Sequence, residues 1–328
     1  DRQQVRGAVF FKRAHALFNL LVQYALAYDT QHKDLPAIPL RLNATLTEKI
    51  ERKTLSEGFN QVEKDLKDAV QLLPEKALVL TRPSKVAALG LLSRVYLYKN
   101  DYQASLNAAT EALNFQNELI DYNNMNAAAA NPFSLFNKET LFYGISSGRG
   151  GLLNPTIAWV SPALYNTYQI DDLRKKVFYK TVNGGFTFKG DYSGKSFGQL
   201  FHGIGTDELY LNKAECEARL DKVPDAIQTI TQLLVKRYAN GKYVAPLTTI
   251  PKEQLVTYLL SERRKELAFR GMLRWMDFKR LKDDVNNRFE MKRVIGGDIF
   301  TIQPEDLKTA FLFPTLVVNL SGISQNNR

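Results

Sequence analysis

Apolar residues recur at helical spacing in several long stretches of the chain, and this pattern predicts a mainly helical fold. Residues 2–29 form the first such stretch, with one apolar face. Residues 55–73 form the second, which Pro74 ends because proline cannot continue a helix. Pro83 and Ser84 then open a third helix, in which Ser84 is the predicted N-cap.

Two later stretches, residues 92–113 and 211–234, resemble helical pairs of the tetratricopeptide type. Small residues alternate with aromatic ones at offsets that let paired helices approach closely. Such pairs bury their apolar faces only by stacking on neighbouring pairs. The sequence therefore predicts a tetratricopeptide-like superhelix of helical pairs, which the segment between the two copies interrupts.

The interrupting segment, residues 115–205, is rich in Asn, Gly, Tyr and Phe. Residues 141–145 read as a strand, and Asn183-Gly184 between two short apolar runs predicts a β-hairpin, because both turn positions favour positive φ. The glycine-rich residues 147–151 predict a flexible loop that lacks the Lys-Ser/Thr pair of a phosphate loop. An irregular insertion of this length inside a helical scaffold is typical of a functional surface.

Residues 261–281 carry the most strongly patterned stretch, and we expect one helix there. Its charges are spaced so that Glu266 would pair with Arg270, and Arg274 with Asp277. One interpretation is a solvated ladder of surface ion pairs; the other is a structural network packed against Trp275. We expect Trp275 and Phe278 to be buried, and Gly271 to mark a bend or a close contact.

Composition narrows the possible functions. The chain has 328 residues, of which 45% are hydrophobic, enough for one large or two modest domains, and no stretch is apolar enough to span a bilayer. The net charge of +10 is spread among acidic residues, which disfavours nucleic-acid binding. Cys216 is the single cysteine and is expected to be a buried structural thiol.

Candidate catalytic chemistry is sparse. The three histidines are scattered, no nucleophile elbow is present, and Asp171-Asp172 is better explained as a cap for the helix through Leu173 and Arg174. We therefore expect no enzyme, no cofactor and no metal, although a glycosidase could still recruit carboxylates that are distant in sequence. The chain begins at Asp1 without a signal peptide or lipidation cysteine, so we expect that a leader has been removed or was never part of this polypeptide.

The patterned stretch also resembles the C-terminal signature of the SusD/RagB family of outer-membrane nutrient-binding lipoproteins of Bacteroidota. The resemblance continues in family order through residues 6–20, 59–74, 87–97, 137–142, 161–174 and 208–215. The residues that carry the signature are Glu262, Arg263, Glu266, Arg274, Trp275 and Asp277. The C-terminal tail departs from the family pattern, with Asn327 where a proline is expected.

The resemblance implies a single SusD-like domain over residues 1–328. Its parts would be N-terminal repeat helices (1–114), a loop-rich ligand face (115–205) and C-terminal repeat and signature helices (206–328). It also implies a lipid-anchored protein at the cell surface, which holds a nutrient oligosaccharide for import through a TonB-dependent, SusC-like transporter. A peptide-binding, RagB-like member and a protein-interaction scaffold without a small ligand are the alternatives.

Residues for a ligand site come from the insertion, because sugars need flat aromatic platforms flanked by polar side chains. Peptide sites need aromatic residues too, so this logic does not choose between the two ligands. A binding lipoprotein predicts exposed aromatic residues here, whereas a pure scaffold predicts buried ones. The candidates are Trp159, Tyr192, Tyr168, Phe197, Arg149 and Asn154.

Overall fold

A computed structural model describes residues 2–45, 50–147, 158–194 and 199–328 and confirms a mainly helical fold. The helices are α1 (Arg2–Tyr24), α2 (Leu55–Leu72), α3 (Lys85–Tyr98), α4 (Tyr102–Phe115), α5 (Pro162–Tyr165), α6 (Arg174–Phe178), α7 (Thr206–Arg219), α8 (Val223–Leu234), α9 (Lys252–Glu266), α10 (Leu273–Arg280) and α11 (Thr315–Ser321). The predicted first and second helices are present, and the first ends at Tyr24, five residues earlier than expected.

The strands are short and form small antiparallel pairs. They are β1 (Pro36–Pro39), β2 (Arg52–Thr54), β3 (Thr140–Phe142), β4 (Ile145–Ser147), β5 (Tyr179–Val182), β6 (Gly185–Phe188), β7 (Gln199–Phe201), β8 (Ile204–Gly205), β9 (Met291–Ile295) and β10 (Asp298–Ile302). Among the described residues the pairs are β1–β2, β3–β8, β4–β7, β5–β6 and β9–β10. The predicted hairpin is β5–β6, where Asn183 and Gly184 have φ values of 47° and 82°.

The chain packs into two compact units, the first of which contains the segments up to Leu72, from Tyr98 to Asn100 and from Trp275 onward. In this unit α1 packs against α2, and a Cβ at Gly58 would lie only 2.7 Å from a Leu21 methyl group. The C-terminal tail is tied down by the Arg52 guanidinium, which donates to the Ser324 carbonyl and to the Asn326 side chain. The tail is thus ordered by hydrogen bonds.

The second unit contains residues 73–97 and 101–274. Here α3 is followed by α4, and α7 by α8, at the two positions where the sequence predicts helical pairs. Ser84 Oγ accepts a hydrogen bond from the Ala87 backbone N–H, which confirms the predicted N-cap. Buried Ser93 and Ser105 hydroxyls lie 3.1 Å apart, as small residues at a close helix crossing allow.

The expectation of one helix over residues 261–281 is wrong. Helix α9 ends at Glu266 and α10 begins at Leu273, and between them Phe269 and Gly271 have φ values of 61° and 44°. The chain turns here because left-handed backbone cannot continue an α-helix. Gly271 therefore marks both a bend and a close contact, as the sequence predicts, since an added Cβ would lie 2.6 Å from His202 Nδ1.

Replacing Gly271 by Ala should lower the free energy of unfolding by about 2–4 kcal/mol, because it combines left-handed strain with a steric clash. Gly241→Ala is the matched control: Gly241 has a φ of 73° but nothing within 4 Å of an added Cβ. It should lose about 1 kcal/mol through strain alone. Urea denaturation of both variants measures the difference, and equal losses would show that the His202 contact contributes nothing.

Across the described ranges, no helix combines the length and the apolar character that crossing a membrane requires. In the same residues, no group of three or more His, Cys, Asp or Glu side chains is arranged to hold a metal ion. Cys216 is fully buried on α7, as the sequence predicts.

Candidate functional site

Trp159 is the exposed aromatic residue among the predicted ligand candidates that the structure describes. Its side chain is 54% exposed, and a Cβ at Gly185 would lie 2.0 Å from its ring, so one ring face lies directly on the backbone of β6. The adjacent Val160 N–H donates to the Phe186 carbonyl at 2.8 Å, which fixes the segment along the hairpin edge. Trp159 therefore presents a flat aromatic surface on a rigid support.

The hairpin has a second aromatic surface on its other face. Side chains alternate along a strand, so Phe186 points away from the face that Trp159 covers at Gly185. Tyr165 stacks on Phe186 with 3.4 Å between ring centroids, and the Lys175 ammonium lies 4.8 Å from the Tyr165 centroid. These rings are half-buried, so the hairpin carries one exposed platform and one covered stack.

The expectation that Tyr168 and Tyr192 lie on a ligand-binding surface is wrong for this structure. Their exposed fractions are 2% and 1%, and both belong to the aromatic core of the second unit. The Tyr168 hydroxyl donates to the Lys265 carbonyl at 2.8 Å, and Tyr192 donates to the Glu139 carboxylate. Their hydroxyl groups find protein partners, so burial of these large rings leaves no polar atom unsatisfied.

The remaining candidates, Arg149, Asn154 and Phe197, lie outside the described residues. Among the described residues, the turn of the hairpin carries an exposed polar side chain, Asn183. Thr181 is also exposed, but as the cross-strand neighbour of Phe186 it lies on the face opposite Trp159. The Asn183 amide can exchange hydrogen bonds with a hydroxyl-rich or amide-rich ligand.

A buried ionic network fills the interior of the second unit and includes part of the family-like signature. The Arg174 guanidinium donates to the carboxylates of Asp172, Glu262 and Glu266 at distances between 2.6 and 3.1 Å. All four side chains are buried. The interpretation of Glu262 and Glu266 as rungs of a solvated ladder is therefore wrong, because they pair with an arginine about 90 residues away in sequence.

A second arginine extends the network. Arg237 donates to Glu266 at 2.7 Å, to Glu139 at 2.8 Å and to the Ile120 carbonyl at 2.6 Å. Desolvation by burial raises the pKa of the Glu139 carboxyl, although the Arg237 charge opposes this effect. Glu266 thus connects two arginines, and its carboxylate is enclosed between them.

Arg270 does not pair with Glu266, the partner predicted from helical spacing. The chain leaves the helix at Leu267, and Arg270 instead donates to Asp207 at 2.8 Å, while its guanidinium lies 3.7 Å from the Tyr192 ring centroid. Burial works to raise the pKa of Asp207, but the Arg270 charge and hydrogen bond, together with the Arg237 charge, outweigh it, and the pKa is lowered. The break in the helix therefore directs Arg270 into the core.

The other signature residues have differing surroundings. Arg263 donates to the Asn212 amide oxygen at 2.7 Å, and Asp277 accepts from Arg280 at 2.8 Å. Phe278 is buried as expected, whereas Trp275 is half-buried and Arg274 is exposed. Trp275 packs at ring-centroid distances of 5.3 Å from Phe278 and 5.4 Å from Phe311.

Sequence reasoning missed the arginines that complete the network. Arg174 was assigned only to a capped helix, and its backbone N–H does donate to the capping Asp172 Oδ1 at 3.1 Å. Arg237, just after the end of α8, carries no spacing signal toward Glu139, which lies 98 residues earlier. The buried carboxylates are closed off from solvent by these arginines, so their chemistry is structural.

A polar groove of about 680 Å³ lies between α4, α7 and α8. Its lining contains five amide side chains, Gln103, Asn107, Asn114, Gln228 and Gln232, and five charged ones. Lys213 and Glu217 pair along α7, and both contact the Thr229 hydroxyl on α8. Among the described residues no aromatic side chain lines the groove, which separates it chemically from the Trp159 platform.

Comparison with known families and structures gives a consistent result. A family model described as "Starch-binding associating with outer membrane" matches residues 1–97, and one described as "SusD family" matches residues 206–310. No protein among the curated sequences matches the chain.

Several solved structures share its fold. A SusD superfamily protein from Bacteroides thetaiotaomicron VPI-5482 is 21% identical, with 99% of this chain and 78% of that chain covered at a TM-score of 0.79. A SusD-like carbohydrate binding protein from Bacteroides vulgatus ATCC 8482 is 22% identical, with 92% and 69% covered at a TM-score of 0.70. At this level of identity the likeness concerns the fold, and it spans nearly the whole chain.

Proposed function

Because this chain belongs to the SusD/RagB family, we propose that it binds a nutrient oligosaccharide at the cell surface. The description of the model matching residues 1–97 names starch binding, and one similar structure is described as a carbohydrate binding protein. These names support a glycan as the ligand class. The exposed Trp159 platform is the single observation of this chain that carries the proposal.

The proposed setting is the outer membrane. The protein would be held there by a lipid anchor and would pass its ligand to a TonB-dependent, SusC-like transporter. The family description, which includes association with the outer membrane, supports this location. Binding without turnover is part of the proposal, because the carboxylates of the network are buried and paired with arginines.

Trp159 suits a sugar because a pyranose presents a flat C–H face that packs on an aromatic ring, while its hydroxyl rim needs polar partners. The ring is supported from behind by the Gly185 backbone, so little side-chain entropy is lost when a ligand stacks on its free face. Asn183 offers an exposed hydrogen-bonding amide at the turn of the same hairpin. The arrangement predicts weak, hydroxyl-directed binding of a linear oligosaccharide.

Replacing Trp159 by Ala should weaken oligosaccharide binding by about tenfold, equivalent to about 1.4 kcal/mol. Calorimetric titration with maltoheptaose first, then with other linear oligosaccharides and with peptides, measures the change. Mass spectrometry of the same mixtures detects any product, and steady turnover would contradict the non-catalytic proposal.

The matched control is Leu78→Ala, which removes another exposed apolar side chain of the same unit, 93% exposed. It should bind like the wild type, and both variants should keep the wild-type melting temperature within a few degrees. Wild-type affinity in Trp159→Ala would place the ligand site elsewhere. Tyr192 is unsuitable for this test because its removal would open the core.

The polar groove between α4, α7 and α8 favours a second candidate function, the binding of an extended peptide. Its amide side chains match the donors and acceptors of a peptide backbone, and it lacks a platform for sugar stacking. Replacing Gln228 and Gln232 by Ala would weaken peptide binding and leave oligosaccharide binding unchanged. Trp159→Ala would have the opposite effect, weakening oligosaccharide binding and leaving peptide binding unchanged, so the two sets of variants distinguish the two functions.

A further inference from the structure

The hairpin β9–β10 exposes apolar side chains on both of its faces. Along both strands only Met291 and Ile302, at the open end, are half-buried, and every residue between them is exposed. Four large apolar side chains between these two ends are between 55% and 68% exposed: Val294, Ile295, Ile299 and Phe300. Such a concentration of apolar surface on one small element indicates an interaction site.

The element also lacks the support that hairpins normally need. It is a sheet of two strands, so both edges present unpaired backbone groups. A two-stranded hairpin is marginal in water unless further strands or a packed face stabilise it. Its unpaired edge groups call for a protein strand that pairs with them.

Insertion into lipid fits the hairpin less well. Unpaired backbone groups at an open sheet edge have no partners in hydrocarbon, where each costs several kcal/mol. Asp298 at the tip adds an ionised carboxylate to the part that would enter first. A strand partner satisfies the edge groups that lipid leaves unsatisfied, so strand addition is the favoured mode.

The two edges differ in chemistry. Strand β9 carries Lys292 and Arg293, and charged residues of this kind oppose edge-to-edge pairing. Strand β10 has no Lys, Arg or Pro. Ile295 and Asp298 flank a two-residue Gly-Gly turn, so their backbone groups bond to each other within the hairpin. Hydrogen-bonded and non-hydrogen-bonded pairs alternate along the strands, so the next inward-bonding residue of β10 is Phe300. The backbone N–H and C=O groups of Ile299 and Thr301 therefore point outward, away from β9.

We propose that two copies of this chain associate through their β10 strands, pairing antiparallel about a two-fold axis at Phe300. The two hairpins then form one four-stranded sheet in the order β9–β10–β10–β9. Phe300 faces Phe300 of the second copy. Ile299 of each copy faces Thr301 of the other. The contact is self-complementary, as a two-fold interface requires.

The charge distribution leaves the β10 edge open to a second copy, because like charges stay apart there. Arg293 is the cross-strand neighbour of Phe300 and forms no ion pair with the residues that the structure describes. In the four-stranded sheet the two Arg293 side chains would be three strand spacings apart, about 14 Å, which is beyond the Debye length of about 8 Å. Pairing through β9 would instead bring Lys292 and Arg293 of both copies together.

This association is independent of the proposed ligand site, because it does not involve Trp159.

A cysteine at position 300 tests the geometry. Phe300 would face its counterpart in a non-hydrogen-bonded pair, where Cα atoms lie about 4.5 Å apart, within disulfide range. Under mild oxidation Phe300→Cys should give a covalent dimer, detected on a non-reducing gel, while buried Cys216 stays inert. Val294→Cys, on the outer strand, is the matched control. Equal cross-linking of the two variants, or none in Phe300→Cys, overturns the proposal.

Sedimentation equilibrium tests the association without new cysteines. A seam of one short strand pair is small for a stable interface, so we expect a dimer at about 100 µM that dissociates on dilution. Thr301→Pro removes an outward N–H of β10 and should give a monomer, whereas Lys292→Pro does the same on β9 and should still dimerise. Unchanged circular dichroism shows that both variants fold. A monomeric wild type at 100 µM contradicts the proposal.

Discussion

Replacing Arg237 by Met should lower the free energy of unfolding by about 3–5 kcal/mol. Arg237 is fully buried and donates to Glu139 and Glu266, so its removal leaves two carboxylates with less compensation in a dehydrated interior. The methionine fills much of the volume, which separates the electrostatic loss from a cavity. Urea denaturation at pH 7 measures the change.

A second substitution identifies the cause of that loss. Glu139 already has a raised pKa because burial disfavours its charge. We therefore expect its carboxylate to be the group that the removal of Arg237 destabilises most. The double variant Arg237→Met with Glu139→Gln should therefore be more stable than Arg237→Met alone, a coupling that independent sites do not show. Lys64→Met, which removes an exposed partner of Asp68, is the control and should cost less than about 0.5 kcal/mol. A loss below about 1 kcal/mol in Arg237→Met would mean that the network contributes little.

Local signals in the sequence were enough to predict the helices. Ser84 as an N-cap and Pro74 as a stop act on residues next to them, and the structure shows both effects. The Asn183-Gly184 turn is equally local, because its two positive φ values depend on those two residues. Elements of this kind are predictable because their cause lies within a few residues.

The network could not be predicted in the same way. Glu266 has a neighbour of opposite charge at helical spacing, Arg270, and the sequence gives no reason to prefer Arg174 or Arg237. The choice depends on where the helix breaks, which Phe269 and Gly271 decide through left-handed backbone. Gly271 indicates a helix break in the sequence, because glycine readily adopts positive φ. Phe269 gives no such indication, because phenylalanine rarely adopts positive φ.

The candidate ligand site shows the same division. Trp159, Tyr168 and Tyr192 are similar in sequence terms, since each lies among polar and small residues of the insertion. Their exposure differs because each hydroxyl of the two tyrosines finds a buried partner, whereas the indole of Trp159 packs one face on the Gly185 backbone. Exposure of an aromatic ring in a loop depends on tertiary contacts, so composition alone overestimated the number of surface aromatics.

The hairpin β9–β10 went unrecognised although its turn is visible in the sequence. Gly296 and Gly297 have φ values of 62° and 96°, and apolar residues stand on either side of them. Lys292 and Arg293 give the segment a polar, basic composition beside the apolar Val294, Ile295, Ile299 and Phe300. The Gly-Gly turn, not the composition, is the signal that predicts both strands.

Lys279 is a fully buried cation of the first unit. Its ammonium donates to the Val22 carbonyl at 2.9 Å and to the Ala25 carbonyl, at the C-terminal end of α1, and it forms no ion pair with the described residues. Carbonyl groups at a helix C-terminus carry partial negative charge, which accounts for a lysine in this position. Desolvation nevertheless lowers its pKa to about 7.

We therefore expect the folded protein to gain stability from Lys279 as the pH rises above 7. Between pH 7 and about 10.5 the unfolded chain holds a proton on this amine that the folded chain has released, so the free energy of unfolding increases with pH. The gain is about 1.4 kcal/mol for each pH unit in this range, and it vanishes below pH 6, where both states are protonated.

The difference between the wild type and Lys279→Met, measured by urea denaturation from pH 6 to 9, isolates this contribution because the other titrating groups are common to both. Lys64→Met removes an exposed lysine, so its free energy of unfolding should change with pH in parallel with that of the wild type over the same range. Parallel curves for Lys279→Met as well would show that the three carbonyls near Lys279, including that of Thr309, keep its amine protonated in the folded protein.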